Sequence, residues 1–259
     1  MDLFDREATF GDDYLYFYEA SLDEARTQAD VERILEALDL TPGSSILDAP
    51  CGHGRISNLL AEQGFDVTGV DATPGFIDLA REDAARRGVA VDYRVGDLRR
   101  LGVDGPFDTV VCWFTSFGYF DDAYNRAVLA EFARVLKPGG RLAIEAVHHD
   151  GFVRRFTPSP FAVPVFRGDD ALIDSSIFDP VSGRVRTERV VYRDGEMRRT
   201  HHEVRVPTLP EYSEWLRAAG FSTVESDRAL PHRPSTTCGS WWWPGDENGP
   251  SNAVESRSR

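Results

Sequence analysis

The sequence predicts an α/β chain: a doubly wound, mostly parallel sheet with a helical N-terminal cap and a small antiparallel β insertion. Three observations carry that expectation. Between residues 45 and 147, five short apolar runs alternate with amphipathic stretches, the pattern of strands joined by helices. The first run ends in Asp48 and passes into a tight turn with Gly52 and Gly54, after which Ile56, Leu59 and Leu60 open a helix. From residue 150 the period changes to extended runs separated by Ser182-Gly183 and Asp194-Gly195, as in an antiparallel meander.

In chain order, residues 1–20 crowd Phe4, Phe10, Tyr14, Tyr16, Phe17 and Tyr18 together, either as a staple onto the main domain or as a lid over a ligand. Residues 22–40 read as an amphipathic helix, with Val31, Ile34, Leu35 and Leu38 on one stripe and Thr41, Pro42 and Gly43 ending it. Strand two covers residues 64–71 and ends in Asp71, and a helix over 74–87 follows Thr73-Pro74. Strand three covers 89–95 and leads into Gly96, Asp97 and Leu98. Strand four covers 107–114, apolar on both faces at Val110, Val111 and Cys112, with Trp113, Ser116, Tyr119 and Phe120 at its exit. A helix over 123–136 is stopped by Lys137, Pro138, Gly139 and Gly140, and strand five covers 141–147.

Three extended runs come next, 172–178, 185–192 and 197–206, then a helix over 209–219 and a strand over 221–227. The expected division is an aromatic and helical cap at 1–40, a cofactor-binding α/β domain at 41–150, the β insertion at 151–207 and a return to the α/β domain at 208–230. The tail at 231–259 is expected to be largely disordered from about 244.

Composition narrows the function. The 29 Lys and Arg against 43 Asp and Glu give a net charge of −14, so a polyanion meets a repulsive field and nucleic acid is excluded as the expected partner. Cys51, Cys112 and Cys238 lack metal-ligand or disulfide spacing, and the N-terminus has no apolar leader. The expectations are no metal, no membrane and a reducing cytoplasm.

Asp71 follows Asp48 by 23 residues. In a strand–helix–strand unit that spacing puts the second acid at the tip of the neighbouring strand, where it accepts both hydroxyls of a ribose. The competing reading makes it an N-cap, a role that Thr73 already fills. Asp97 beside Leu98 suits the exocyclic amine and face of adenine. Ser57 stands where a dinucleotide fingerprint has a third glycine, which argues against a nicotinamide-dependent oxidoreductase. Tyr14, Tyr18 and Trp113 can stabilise a bound cation. His148 and His149 leave strand five on the ligand side, pointing to opposite faces. His53 reads as a cap within the turn, His201-His202 as strand surface, and Tyr119, beside Gly118, as a residue of the pocket mouth.

The ordered set ILDAPCGHG, VTGVDAT, GDLRRL, FDTVVCWFTSFGYF and LKPGGRLAIE resembles the class I S-adenosylmethionine-dependent methyltransferases over residues 40–227. The resemblance implies a Rossmann-like sheet and S-adenosylmethionine as cofactor. It places the methionine part in the turn after Asp48, with Pro50 and Gly52, the ribose on Asp71, adenine between Ala72 and Asp97-Leu98, and Trp113 along the channel. The aromatic N-terminus, the SFGYF stretch and the β insertion look most like small-molecule methyltransferases, including the amino-sugar N,N-dimethyltransferases. The same likeness implies transfer to an O or N atom of a small-molecule acceptor, in secondary metabolism, with Tyr119, His149, His148 and Tyr14 as candidates around the reacting atom.

Three departures stand out. Pro50 replaces a glycine, removing a backbone N–H; Tyr119 stands where those enzymes have a histidine; and no apolar run beyond Asp227 supplies the usual seventh strand, a place that residues 236–243 fill in this reading. Pro50 keeps open a cofactor-binding module without transfer activity, or a non-methylating enzyme on the same fold. The meander and Trp241 to Trp243 are candidate contact surfaces of a homodimer.

Overall fold

The computed structural model describes residues 9–147, 149–156, 160–226 and 251–258. The elements in chain order are α1 (Asp12–Tyr18), α2 (Glu24–Leu38), β1 (Ser45–Asp48), α3 (Arg55–Glu62), β2 (Asp66–Asp71), α4 (Pro74–Arg87), β3 (Asp92–Val95), β4 (Phe107–Cys112), α5 (Asp122–Val135) and β5 (Leu136–Val147). Then come α6 (His149–Phe156), β6 (Phe161–Arg167), β7 (Asp170–Asp179), β8 (Arg184–Arg193), β9 (Glu196–Arg205), α7 (Leu209–Ala218), β10 (Phe221–Ser226) and β11 (Ser251–Ser258).

The main sheet has the order β10-β11-β5-β4-β1-β2-β3, with β1 to β5 parallel and β11 antiparallel to both of its neighbours. Successive strand residues enter different cores: Leu47 and Val110 join the cluster of Phe132 and Trp215, whereas Ile46 and Val111 join that of Ile34, Leu38 and Trp113. Such two-sided burial is why these strands read as unbroken apolar runs.

Helix ends obey local chemistry. Asp23 caps α2 by accepting the Arg26 N–H at 2.8 Å, and Thr208 with Glu211 forms a reciprocal capping box on α7. Gly54 enters α3 at φ 83°, and a Cβ there would lie 2.4 Å from the Tyr93 hydroxyl, so glycine is demanded by both conformation and space.

The second sheet is a four-stranded antiparallel meander, β6-β7-β8-β9. Three of these strands match the sequence expectation. The fourth, β6, was hidden by Pro164, which is tolerated because β6 is an edge strand. Leu172 and Val191 on one face pack against Phe17 and Tyr18 of α1, so the N-terminal helix is clamped onto the meander. The far end of β9 is tied to the loop after β4 by Arg205 N–H donating to Gly118 O at 2.8 Å.

Two further expectations are corrected. His149 begins helix α6 instead of continuing strand five, so the alternating-face argument does not govern it. The tail expected to be disordered from about 244 contains β11, which supplies the seventh strand between β5 and β10. Its sequence, SNAVESRS, lacks an apolar alternation because main-chain ladders on both edges define it, and those leave no side-chain signature. Residues 236–243, including the three tryptophans, lie outside the described residues, as does Cys238.

Candidate active site

A cavity of about 610 Å³ opens at the C-terminal ends of β1, β2 and β4. Ligands of open α/β sheets bind there, because strand order reverses between β1 and β4 and the connections diverge. Tyr14, Asp48, Pro50, Gly52, Asp71, Ala72, Asp97, Leu98, Trp113 and Tyr119 all line it. Ten residues from five separate stretches of chain thus meet in one space.

Asp48 ends β1, almost wholly buried, and accepts the Ser57 hydroxyl at 2.6 Å. Burial pushes its carboxyl up to about 7, against the opposing pull of that hydrogen bond and of Arg55. Asp71 ends β2 on the adjacent strand and clasps the glycine turn, accepting Gly52 N–H at 2.9 Å on one oxygen and Thr73 N–H at 2.8 Å on the other. The Thr73 side chain makes no capping bond, so Asp71 itself holds the start of α4 while standing at the rim. The turn does not depend on an N–H at Pro50: Cys51 N–H donates to Val70 O at 3.0 Å, and a Cβ at Gly52 would meet nothing within 4 Å. Asp97 accepts the backbone N–H of Arg99 at 2.9 Å and its guanidinium at 2.8 Å.

An aromatic wall also lines the cavity. Phe10 lies edge-on to both Tyr14 and Tyr119, with ring centroids 5.3 Å apart in each pair. Burial raises the Tyr14 phenol to about 12 and drives that of Tyr119 upward as well. Gly118 holds Tyr119 in place at φ 109°, where a Cβ would meet Arg205 O at 2.4 Å. Phe114 and Thr115 sit at φ 59° and 52°, a strained pair for side chains of that size. Their turn is anchored by Glu145 on β5, which is fully buried and accepts Phe114 N–H at 2.7 Å.

Some sequence-predicted residues fall elsewhere. Tyr18 is buried behind Tyr14 and does not line the cavity; its hydroxyl lies 3.5 Å from Asp174 and 3.4 Å from Arg189. His149 is also absent from the lining, paired with Asp150 at 3.0 Å and packed edge-on to Phe178, because α6 carries it away from the strand end. His148 lies outside the described residues. His53, expected as a cap, lines the cavity, and burial lowers its imidazole to about 4. His202, expected on the strand surface, is 8% exposed, and its ring centroid lies 6.3 Å from that of Tyr119, whereas His201 faces outward. Period-two alternation requires that one of such a pair turn inward.

Sequence reasoning missed Arg55, Phe76 and Arg99, all of which line the cavity. Arg55 was visible as the first helical residue after the glycine turn, but its direction depends on Asp30 of α2, 2.8 Å from Nη1. Despite this ion pair, both Nη atoms are buried without a directional hydrogen bond, as is Trp113 Nε1. Among the described residues, no group of three or more His, Cys, Asp and Glu could hold a metal, and no helix is long and apolar enough to cross a membrane.

Comparison with known proteins agrees with this geometry. Residues 46–140 match the family described as "Methyltransferase domain". A ubiquinone biosynthesis O-methyltransferase of Xanthomonas euvesicatoria is 34% identical over 137 residues, 52% of this chain and 53% of the relative. The corresponding protein of Xylella fastidiosa is 36% identical over 108 residues, 41% and 43% of the two chains. The chain thus spans about half the length of the curated relatives it matches. Among solved structures, the CcbJ methyltransferase of Streptomyces caelestis superposes with a TM-score of 0.75 at 18% identity, over 96% of this chain and 98% of that one. An S-adenosylmethionine-dependent methyltransferase of Clostridium acetobutylicum gives 0.72 at 14% identity, over 98% and 99%. Residues 46–140 thus carry a methyltransferase domain, and the chain as a whole shares the fold of solved S-adenosylmethionine-dependent methyltransferases.

Proposed function

We propose that this chain transfers a methyl group from S-adenosylmethionine to an oxygen of a small molecule, with nitrogen as the alternative acceptor atom. The observation that carries the reading is the delivery of Asp48 and Asp71 by neighbouring strands to one rim, on either side of the glycine turn.

The residues present fit the cofactor. Arg55 Nη2 and the indole nitrogen of Trp113 are buried donors without acceptors, whereas Arg55 Nη1 is ion-paired with Asp30 at 2.8 Å. Each such orphan costs about 1–3 kcal/mol, which a carboxylate of an amino-acid moiety offsets. Asp71 would take the ribose hydroxyls, Asp97 the adenine amine, and Ala72 and Leu98 the adenine faces. When bound, the cofactor would supply an activated methyl on a sulfonium for displacement by the acceptor's lone pair, and the acceptor's proton would leave to water. The chain's own part is to align the two partners, exclude solvent and face the cation with Tyr14 and Trp113. Oxygen is preferred because the matched relatives are O-methyltransferases by name.

Calorimetry tests the reading. S-adenosylmethionine should bind with micromolar affinity, and a labelled methyl should appear on a small-molecule acceptor. Binding of NAD in its place would end the proposal, and binding without turnover of any acceptor in a broad panel would leave a cofactor-binding module.

A homodimer is proposed through the outward face of the meander, where Phe166, Tyr192 and Met197 stand in one register row with Ala171. Sedimentation of Met197→Asp against the parent chain reads it directly.

A further inference from the structure

We infer that Asp30 of α2 is a positioning residue for the cofactor: it aims Arg55 so that Nη2 meets the carboxylate of the amino-acid tail, and so makes the site select nucleosides that carry that tail. The inference rests on the methyl-transfer reading above and deepens it, because Asp30 belongs to the N-terminal cap, outside residues 46–140.

Asp30 sits in the middle of α2 and is 1% exposed. The helix itself explains neither fact, since aspartate is a weak former of helix interiors and a buried carboxylate is strongly unfavourable unless it is paired. Its partners come from two directions. Arg26, one turn earlier, brings Nε within 3.3 Å of both carboxylate oxygens, and Arg55, at the start of α3, brings Nη1 within 2.8 Å of Oδ2. Asp30 thus bridges two guanidiniums that would otherwise repel each other. Their Cζ atoms lie 5.8 and 5.0 Å from the centre of the Phe114 ring, which lines the cavity.

This clasp decides which part of Arg55 remains for a ligand. A guanidinium holds its donors in one rigid plane, so fixing Nη1 on Asp30 also fixes the direction of Nη2. Nη2 is buried without an acceptor, and Arg55 lines the cavity with the glycine turn. Trp113 lines the same cavity, and its Nε1 is likewise buried without an acceptor. The carboxylates of the cavity are engaged elsewhere: Asp48 by Ser57, Asp71 by the glycine turn and Asp97 by Arg99. An anionic oxygen from a ligand satisfies such donors better than a neutral one, because charge-assisted hydrogen bonds are the stronger kind. In the cofactor only the amino-acid tail brings one; adenine, ribose and sulfur do not.

Without the charge of Asp30, the Arg26 and Arg55 guanidiniums part. Asp48 then draws Arg55, since its carboxyl already feels that cation. Nη2 leaves the direction set by the clasp, and the tail loses its partner while ribose and adenine keep Asp71 and Asp97. The loss is therefore confined to the part of the ligand beyond the sulfur.

The test measures binding to the full chain by calorimetry with two probes, S-adenosylhomocysteine and 5′-methylthioadenosine. Both carry adenosine and an uncharged sulfur, and only the first carries the amino-acid tail. The parent chain should bind S-adenosylhomocysteine about 100-fold more tightly than 5′-methylthioadenosine. A parent ratio near one would overturn the inference. Asp30→Asn, of nearly equal volume, should cut the ratio about tenfold or more, with 5′-methylthioadenosine held within about twofold of its parent affinity. A residue that merely secured α2 would weaken both probes together, and an unchanged ratio would overturn the assignment. So would a ratio that rises, because Asp30 would then be competing with the tail for Arg55. Should Asp30→Asn fail to fold, Asp30→Glu takes its place: it keeps the charge, displaces Arg55 by one methylene and should cut the ratio about threefold. An unchanged ratio there would overturn the inference equally. Failure of both probes and of S-adenosylmethionine to bind the parent chain would instead remove the methyl-transfer reading.

Discussion

Asp48, Gly52, Asp71 and Asp97 fall within residues 48–97, each at or just past the end of a strand of the same parallel sheet. The aromatic wall draws Phe10 and Tyr14 from the N-terminus and Phe114 to Phe120 from the loop after β4, and it is backed by β9 more than seventy residues further on. The rim is set by local rules, since a strand, a glycine turn and a helix start fix where each carboxylate stands. The wall is set by distant ties: the Glu145 carboxylate holds the left-handed Phe114 by its N–H, and Arg205 N–H holds Gly118 O. One side of the pocket therefore tolerates change in the rest of the chain, whereas the other depends on it.

The largest effect is expected where that dependence is concentrated. Glu145→Ala removes the acceptor for Phe114 N–H and the partner of Arg33, 4.0 Å away. It should lower unfolding free energy by about 3 kcal/mol in urea titration, with Glu145→Gln recovering part of the loss. An unchanged midpoint would mean that the strained turn holds itself.

On the rim, Asp71→Ala should weaken S-adenosylmethionine binding at least tenfold in calorimetry, because it removes a charged acceptor and releases the glycine turn together. A dissociation constant equal to the parent's would take Asp71 out of the site.

Tyr119→Phe should lower kcat about tenfold while leaving cofactor affinity within twofold, the split expected of a residue facing the acceptor alone. Equal losses in both would assign the tyrosine to packing. His149→Ala, outside the cavity, should leave both within about twofold; a selective loss of turnover would return it to the active site.

The smallest effect is a proton. The unfolded Asp48 carboxyl releases its proton near 3.8, while the folded one keeps it to about 7. Across that window the unfolded chain binds fewer protons, so this residue's contribution to stability falls as pH rises and levels off above 7. A cation entering the cavity favours the ionised form and reverses the trend for binding. Affinity for S-adenosylmethionine should therefore rise from pH 5 to 7 with release of up to one proton, measured in buffers of different ionisation enthalpy. Asp48→Asn should flatten the slope, and a slope that survives it would belong to another group.

The contrast between rim and wall also explains what could be read in advance. Asp71 was legible because a fixed strand–helix–strand length converts sequence separation into position. Tyr119 was legible from the Gly118 turn beside it. His149 was misplaced because α6 starts where strand five was expected to continue, and Pro164 and the polar run of β11 masked strands that main-chain pairing alone sustains. Arg55 and His202 could be named from the sequence but not aimed, since their directions depend on Asp30 and on the packing of the meander.

By itself, the sequence determined the parallel sheet, its glycine turn and the acids at its edge, because hydrophobic period and turn chemistry act over a few residues and need no partner. Only the tertiary structure decided which aromatic rings close the pocket, which charges are already spent and which histidine turns inward. Those outcomes depend on contacts between segments far apart in the chain, and no local pattern encodes them.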